Sequence, residues 1–227
     1  MLKKLLALLI LPVATLFVLA GCVAPSNSSN DRDDDDTSQS DEDDEEEADE
    51  EEEEQPEAPA DGELAEPGTR VGLNEWLTHS YTTLDDGEAL ISARLVSVEP
   101  ATAEEAAFIV SAFDSGQVDG YEFYLIHVEE KKESGDTVLY NDDYSFFDVV
   151  DKNGDQIQEI TLIGWDGCDT FTFDEAFDTS GGVLTQCYIG AAKAGEEEPA
   201  GVAYTGGYED DNPYSTFDGK PLYFIND

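Results

Sequence analysis

Apolar and polar positions alternate through most of the second half of the chain. ALISARLVSVE (89–99) is apolar and β-branched and is stopped by Pro100, which predicts a strand. YEFYLIHVEEK (121–131) is rich in aromatic and β-branched residues and predicts another. YSFFDVVD (144–151), GGVLTQCYIG (181–190), AGVAYT (200–205) and KPLYFI (220–225) continue the pattern. DTFTF (169–173) sets Phe171 and Phe173 on one face. LNEWLTHSYTT (73–83) reads as a first strand or as a lead-in to one. One segment changes period: in TAEEAAFIVSAF, Ala106, Ile109, Val110 and Phe113 fall at helical spacing. Thr102 with Glu105 forms a capping-box pattern, which predicts a short helix over about 103–113. Between the strands lie turn residues. Gly135-Asp136 reads as a turn, and Asn153-Gly154 is a strong hairpin signal because both residues tolerate positive φ. Seven or eight short strands and one helical insert predict an all-β domain, a β-sandwich first and a barrel second.

The N-terminal pattern is different in kind. Lys3 and Lys4 precede an apolar stretch from Leu5 to Ala20, and LAGC closes it on Cys22. A charged start, an apolar middle and small residues at the end read as a secretion signal. The ending resembles the lipobox of bacterial lipoproteins. That resemblance implies that residues 1–22 are removed, that Cys22 is lipidated on sulfur, and that the chain is held on the outer face of the cell membrane. The apolar stretch is shorter than the roughly 20 residues a membrane span needs.

Charge then separates tether from domain. Asp31–Glu54 holds 18 carboxylates and one base, Arg32. Such a run cannot bury enough apolar surface to offset ordering, and its charges repel, so 23–67 is expected to be a disordered acidic tether. Its plain role is a spacer; its sharper role is a polyanion that captures cations or basic partners. Residues 68–227 make one domain, long enough for a proper core. That domain is itself acidic, with 33 Asp and Glu against seven Lys and Arg. Nucleic acid, whose phosphates demand the opposite sign, is not an expected partner. Cys168 and Cys187 are the two cysteines left after Cys22. A pair in an exported domain predicts a disulfide, with a metal site as the rival reading.

The order of segments resembles a family. SVEP, GYEFYLIHVE, DKNGDQI, a cysteine, a Gly-Gly turn, a strand with a second cysteine, PAGVAYT and GKPLYF follow one another over about 88–225. The sequence is similar to the immunoglobulin-like, telokin-like domain of Gram-positive bacterial lipoproteins. The resemblance implies an immunoglobulin-like β-sandwich, often with one disulfide, exposed at the cell surface. It implies no catalytic residues. The helical insert and the excess of acid depart from that pattern.

Candidate chemistry is sparse. No nucleophile elbow, P-loop or dinucleotide-binding glycine pattern occurs. His79 neighbours Ser80, but adjacent strand residues point apart, so no nucleophile–base pair is expected. His127, inside a strand, is expected to be packed or edge-exposed. The pairs Asp85-Asp86, Asp142-Asp143 and Asp210-Asp211 read as solvated turns. Calcium (Ca²⁺) is the sharper hypothesis. Asp151, Asn153 and Asp155 alternate as in a calcium loop, although the glycine spacing is not that of an EF-hand. Glu209, Asp210, Asp211 and Asn212 form a second oxygen cluster. Tyr208, Tyr214 and Phe217 sit in a Gly- and Pro-marked segment, where aromatic residues on sandwich loops often bind partners. The expectation is a lipid-anchored surface protein with a non-catalytic binding domain for a cell-envelope protein or polysaccharide. A calcium-dependent adhesion module is the alternative, and a wall-active hydrolase a distant third.

Overall fold

The strand of YEFYLIHVEEK does not stop where its hydrophobic run stops; pairing carries it on to Gly135. The computed structural model describes residues 62–83, 85–207 and 212–226. In chain order its strands are β1 (Arg70–Val71), β2 (Leu77–Thr82), β3 (Glu88–Pro100), β4 (Tyr121–Gly135), β5 (Phe147–Val150), β6 (Gln158–Ile160), β7 (Val183–Lys193), β8 (Gly201–Tyr204) and β9 (Leu222–Ile225). They form two sheets, ordered β2-β3-β4-β7-β6 and β1-β9-β8-β5. The protein is an all-β sandwich. Taking β3, β4, β7 and β6 as strands A, B, E and D, and β5, β8 and β9 as C, F and G, gives the constant-type immunoglobulin order. β2 extends one sheet, and β1 pairs parallel to β9 at the edge of the other.

Period two along β4 serves two cores. Ile126 and Val128 face the opposite sheet and pack with Leu77 and Leu95 of their own sheet and with Phe147, Val202, Tyr204 and Phe224 of the other. Phe123 and Leu125 face outward into a second cluster, roofed by α1 (Ala103–Ser111). That helix begins as its sequence predicts. Thr102 Oγ1 accepts from Glu105 N at 3.3 Å, and Glu105 Oε2 accepts from Thr102 N at 2.7 Å. Its anchor is Ile109, wholly buried, a burial that contributes about 2 kcal/mol. Val110, expected on the buried stripe, is 45% exposed, because the helix rests on the sheet along one row.

Three expectations need correction. The packed domain starts before residue 68: Ala65 is buried, its N–H donates to the Thr78 carbonyl at 2.8 Å, and its own carbonyl accepts from Tyr214. The Asn153-Gly154 hairpin, by contrast, does form, as a short one: Asp151 N donates to the Asp155 carbonyl at 2.9 Å and Ile157 N to the Val149 carbonyl at 3.0 Å, with Val150 bridged antiparallel to Gln156, before β6 leaves to pair with β7 in the other sheet. DTFTF forms no strand; Phe173 is buried and Phe171 half-exposed. Beyond it lies an unforeseen second helix, α2 (Glu175–Ser180), which begins at Asp174, whose side chain accepts from Phe177 N at 2.8 Å, and ends at Gly181 in the left-handed region. Cys168 and Cys187 are disulfide-bonded, with Cα atoms 5.0 Å apart. The bond joins β7 to the loop between β6 and α2 and is not the bridge between the sheets found in antibody domains. Among the described residues, no helix is long and apolar enough to cross a membrane.

Candidate functional site

Glu130 continues the inward register of Ile126 and Val128, so a carboxylate enters the core from β4. His79 shares the inward face of β2 with Leu77 and Tyr81. Asp143 arrives from the β4–β5 connection, immediately before the 3₁₀ turn Tyr144–Phe146. All three are 0% exposed. One ligand atom from each lies within 4.8 Å of the others, and His79 Nε2 is 3.8 Å from Asp143 Oδ2.

Neighbouring groups fix how these side chains face one another. His79 Nδ1 lies 3.2 Å from the Ser80 carbonyl, a contact that suits a protonated Nδ1 and leaves the lone pair on Nε2. The Tyr204 ring stacks on the imidazole at 3.7 Å, and its hydroxyl donates to the same carbonyl at 3.2 Å. Gln186 Nε2 donates to Glu130 Oε2 at 3.1 Å and to the Phe171 carbonyl at 3.0 Å. The remaining atoms are unanswered. His79 Nε2, Glu130 Oε1, both carboxylate oxygens of Asp143 and the Tyr188 hydroxyl are buried without a hydrogen-bond partner. Among the described residues they are the full set of such side-chain atoms. Each such group ordinarily costs about 1–3 kcal/mol, so their concentration in one place is informative.

Electrostatics follow from the burial. Desolvation lowers His79 to about 4, against the pull of the Ser80 carbonyl, so the ring is neutral. Desolvation lifts Glu130 to about 7, although the adjacent Asp143 carboxyl, which could donate a proton to it, and the Gln186 amide pull the other way. Asp143 is raised well above the usual carboxylate range, by burial first and then by the charge of Glu130. The basic side chains Arg94, Lys131 and Lys132 pair elsewhere, with Glu129, Glu133 and Asp178. A neutral imidazole and two adjacent carboxyls can share a proton or hold a cation. Being enclosed, they are not the paired carboxylates that a hydrolase sets across an open cleft.

The sandwich end beyond this cluster carries two grooves. One, of about 510 Å³, is lined by Ser80, Tyr81, Phe146, Tyr204 and Pro213 among others. The other, of about 440 Å³, is lined by Ser145, Asp148, Thr216, Phe217 and Asp218 among others. Gly206, Gly207 and Asn212 belong to both. Asn212 clasps this shared rim: its Nδ2 donates to the Thr205 and Gly207 carbonyls at 2.9 and 2.8 Å, and its Oδ1 accepts from Tyr214 N at 2.9 Å. Gly206, at φ 62°, has no room for a side chain, since a Cβ would lie 2.1 Å from Asn212 Nδ2.

The residues singled out from sequence fare unequally. Phe217 is 92% exposed at the second groove, but Tyr214 is buried. It packs edge-on to Tyr204 and donates to the Ala65 carbonyl at 3.1 Å, so it closes the core and presents no binding face. Tyr208, Glu209, Asp210, Asp211 and Cys22 lie outside the described residues. Asp151, Asn153 and Asp155 do share a turn. There Asp151 Oδ1 accepts from the N–H groups of Asn153 and Asp155 at 2.8 and 2.9 Å, and Oδ2 from Asn153 Nδ2 at 3.1 Å. Three donors aimed at one carboxylate explain the motif as a turn. His127 is half-buried on a central strand, not an edge, and lies 3.2 Å from Ser97 Oγ. Ser80 is exposed while His79 is buried, so the two point apart as expected. Asp143, expected in a solvated turn, is the clearest reversal.

Comparison of the chain with family models, with curated proteins and with solved structures finds no match. The immunoglobulin strand order is a likeness of fold and assigns no activity.

Proposed function

We propose that this chain is a lipid-anchored protein of the outer membrane face whose sandwich domain binds a cell-envelope protein or polysaccharide without catalysis. The observation that carries the reading is the pair of grooves on either side of the Gly206–Gly207 rim, with Phe217 standing exposed beside them. An aromatic side chain with solvent on most of its surface, beside a concave site, offers a stacking platform for a sugar or an apolar anchor for a protein. The bonded Cys168–Cys187 pair suits an oxidising compartment. The LAGC ending at Cys22 supports the anchor, and the acid run after it supports reach from the membrane. The domain's excess of carboxylates favours neutral or cationic ligands.

Two variants test this. Immobilised protein is offered cell-wall polysaccharide and envelope extract, with Phe217→Ala alongside. Retention that falls about tenfold in Phe217→Ala, at unchanged melting temperature, supports the grooves as the site; equal retention refutes that placement. Cys22→Ala is expected to leave the precursor unprocessed or release it to the medium, and a processed, membrane-held Cys22→Ala product would refute lipidation.

A further inference from the structure

We propose that His79 Nε2, a Glu130 carboxylate oxygen and an Asp143 carboxylate oxygen are the protein ligands of a buried divalent transition-metal site of the zinc class. The argument begins with unmet bonding. Among the described residues, the buried side-chain atoms without a partner are His79 Nε2, Glu130 Oε1, both Asp143 oxygens and Tyr188 OH. A random scatter of packing faults would not gather at three residues whose ligand atoms lie within 4.8 Å of one another.

Donor chemistry narrows the ion. One imidazole nitrogen with two carboxylates suits zinc and its first-row neighbours, whereas calcium takes six to eight oxygens. Two carboxylates also supply the charge that a divalent ion neutralises, in a core where, among the described residues, no lysine or arginine is seen to pair with them. The surroundings are those of a metal site as well. His79 holds its other nitrogen against a backbone carbonyl, and Glu130 holds its other oxygen against Gln186, which fixes ring and carboxylate as outer groups do around bound metals. Tyr188 OH is a further unpartnered oxygen buried in this core.

The position gives the site a role. His79 and Glu130 come from the five-stranded sheet, and Asp143 from the connection that crosses to the other. An ion here would bind that crossing to β2 and β4. Tyr204, whose ring stacks on His79, is also among the residues that line the larger groove, so the groove is the nearest described opening toward the site.

The test uses the full chain. It is stripped with chelator and offered zinc, and separately cobalt(II), in excess magnesium, which occupies the acid run. One zinc per chain, a rise in melting temperature and visible cobalt bands are expected. His79→Phe, which keeps a ring against Tyr204, should abolish the cobalt bands. The double variant Glu130→Gln/Asp143→Asn should melt no lower than the stripped protein and bind zinc at least about 100-fold more weakly. Zinc uptake equal in the native chain and the variants would assign the metal to the acid run and overturn the proposal. So would a native chain whose melting temperature ignores zinc, which would leave a carboxyl pair sharing a proton. If the double variant does not fold, the native stoichiometry and the His79→Phe cobalt spectrum decide.

Discussion

Removing the Asp178 carboxylate should unfasten α2 from β4. Asp178 Oδ1 accepts from Lys132 Nζ at 2.7 Å and from Val138 N at 2.8 Å, and Oδ2 accepts from Thr137 Oγ1 at 2.7 Å. The two charged side chains are 9% and 8% exposed, close to the buried limit. Breaking a fully buried pair costs about 3–5 kcal/mol, and an exposed one about 0–1. Asp178→Ala also strands the Val138 N–H, so a loss of about 3 kcal/mol is expected. Asp178→Asn keeps an oxygen to accept from Lys132 and Val138 N–H, removes the charge, and turns the second oxygen into an amide NH₂ that the Thr137 hydroxyl can accept. Burial by itself would raise the Asp178 carboxyl, but Lys132, Val138 N–H and Thr137 outweigh it and hold it at about 2 rather than 3.8. That gap corresponds to roughly 2 kcal/mol, and solvent screening reduces it to about 1 kcal/mol. The sign is that of a depressed acid. Its stabilisation is complete above the unfolded value near 3.8 and is lost as pH falls through about 2. Urea unfolding followed by fluorescence, at fixed ionic strength from pH 7 to pH 2, checks both claims. An Asp178→Ala protein within about 0.5 kcal/mol of the native one would refute the staple. An Asp178→Asn deficit that persists unchanged at pH 2 would refute its electrostatic origin.

Three further perturbations probe other joints. Replacing Cys168 and Cys187 by serine opens a loop with a sequence separation of 19 and should cost roughly 3 kcal/mol in the chain-entropy model; an unchanged urea midpoint would show that the loop is held by packing alone. Gly201→Ala would set a Cβ 1.9 Å from the Phe224 carbonyl oxygen across the β8–β9 pair, so a loss of about 3 kcal/mol or more is expected by thermal unfolding, and a loss under about 1 kcal/mol would mean the pair can slide apart. Thr102→Ala removes the first half of the α1 capping box and should cost about 1 kcal/mol, with faster hydrogen exchange confined to 103–111 as its signature.

Much of the sandwich was legible because its signals are local. The β3, β4 and β7 runs carry their own alternation, and the α1 cap is complete within four residues. α2 was missed for the opposite reason: at six residues it is too short to show a period, and its cap and terminating glycine lie among look-alike turn residues. The buried cluster was harder still, because its meaning exists only in three dimensions. His79, Glu130 and Asp143 come from two strands and a crossing, and no spacing in the chain relates them. A faint signal was present. Glu130 follows Tyr124, Ile126 and Val128 at one parity, and His79 lies between Leu77 and Tyr81, so each polar residue extends an inward run of apolar or aromatic positions. In an ordinary sandwich such a residue is a fault to be removed, since a lone buried carboxylate destabilises the core it enters. Two of them together, facing a histidine whose free nitrogen is turned toward them, fit selection for a ligand better than tolerance of a fault. The abundance of acid elsewhere in this chain hid them: among 55 carboxylates, the informative ones are those that fail to reach water.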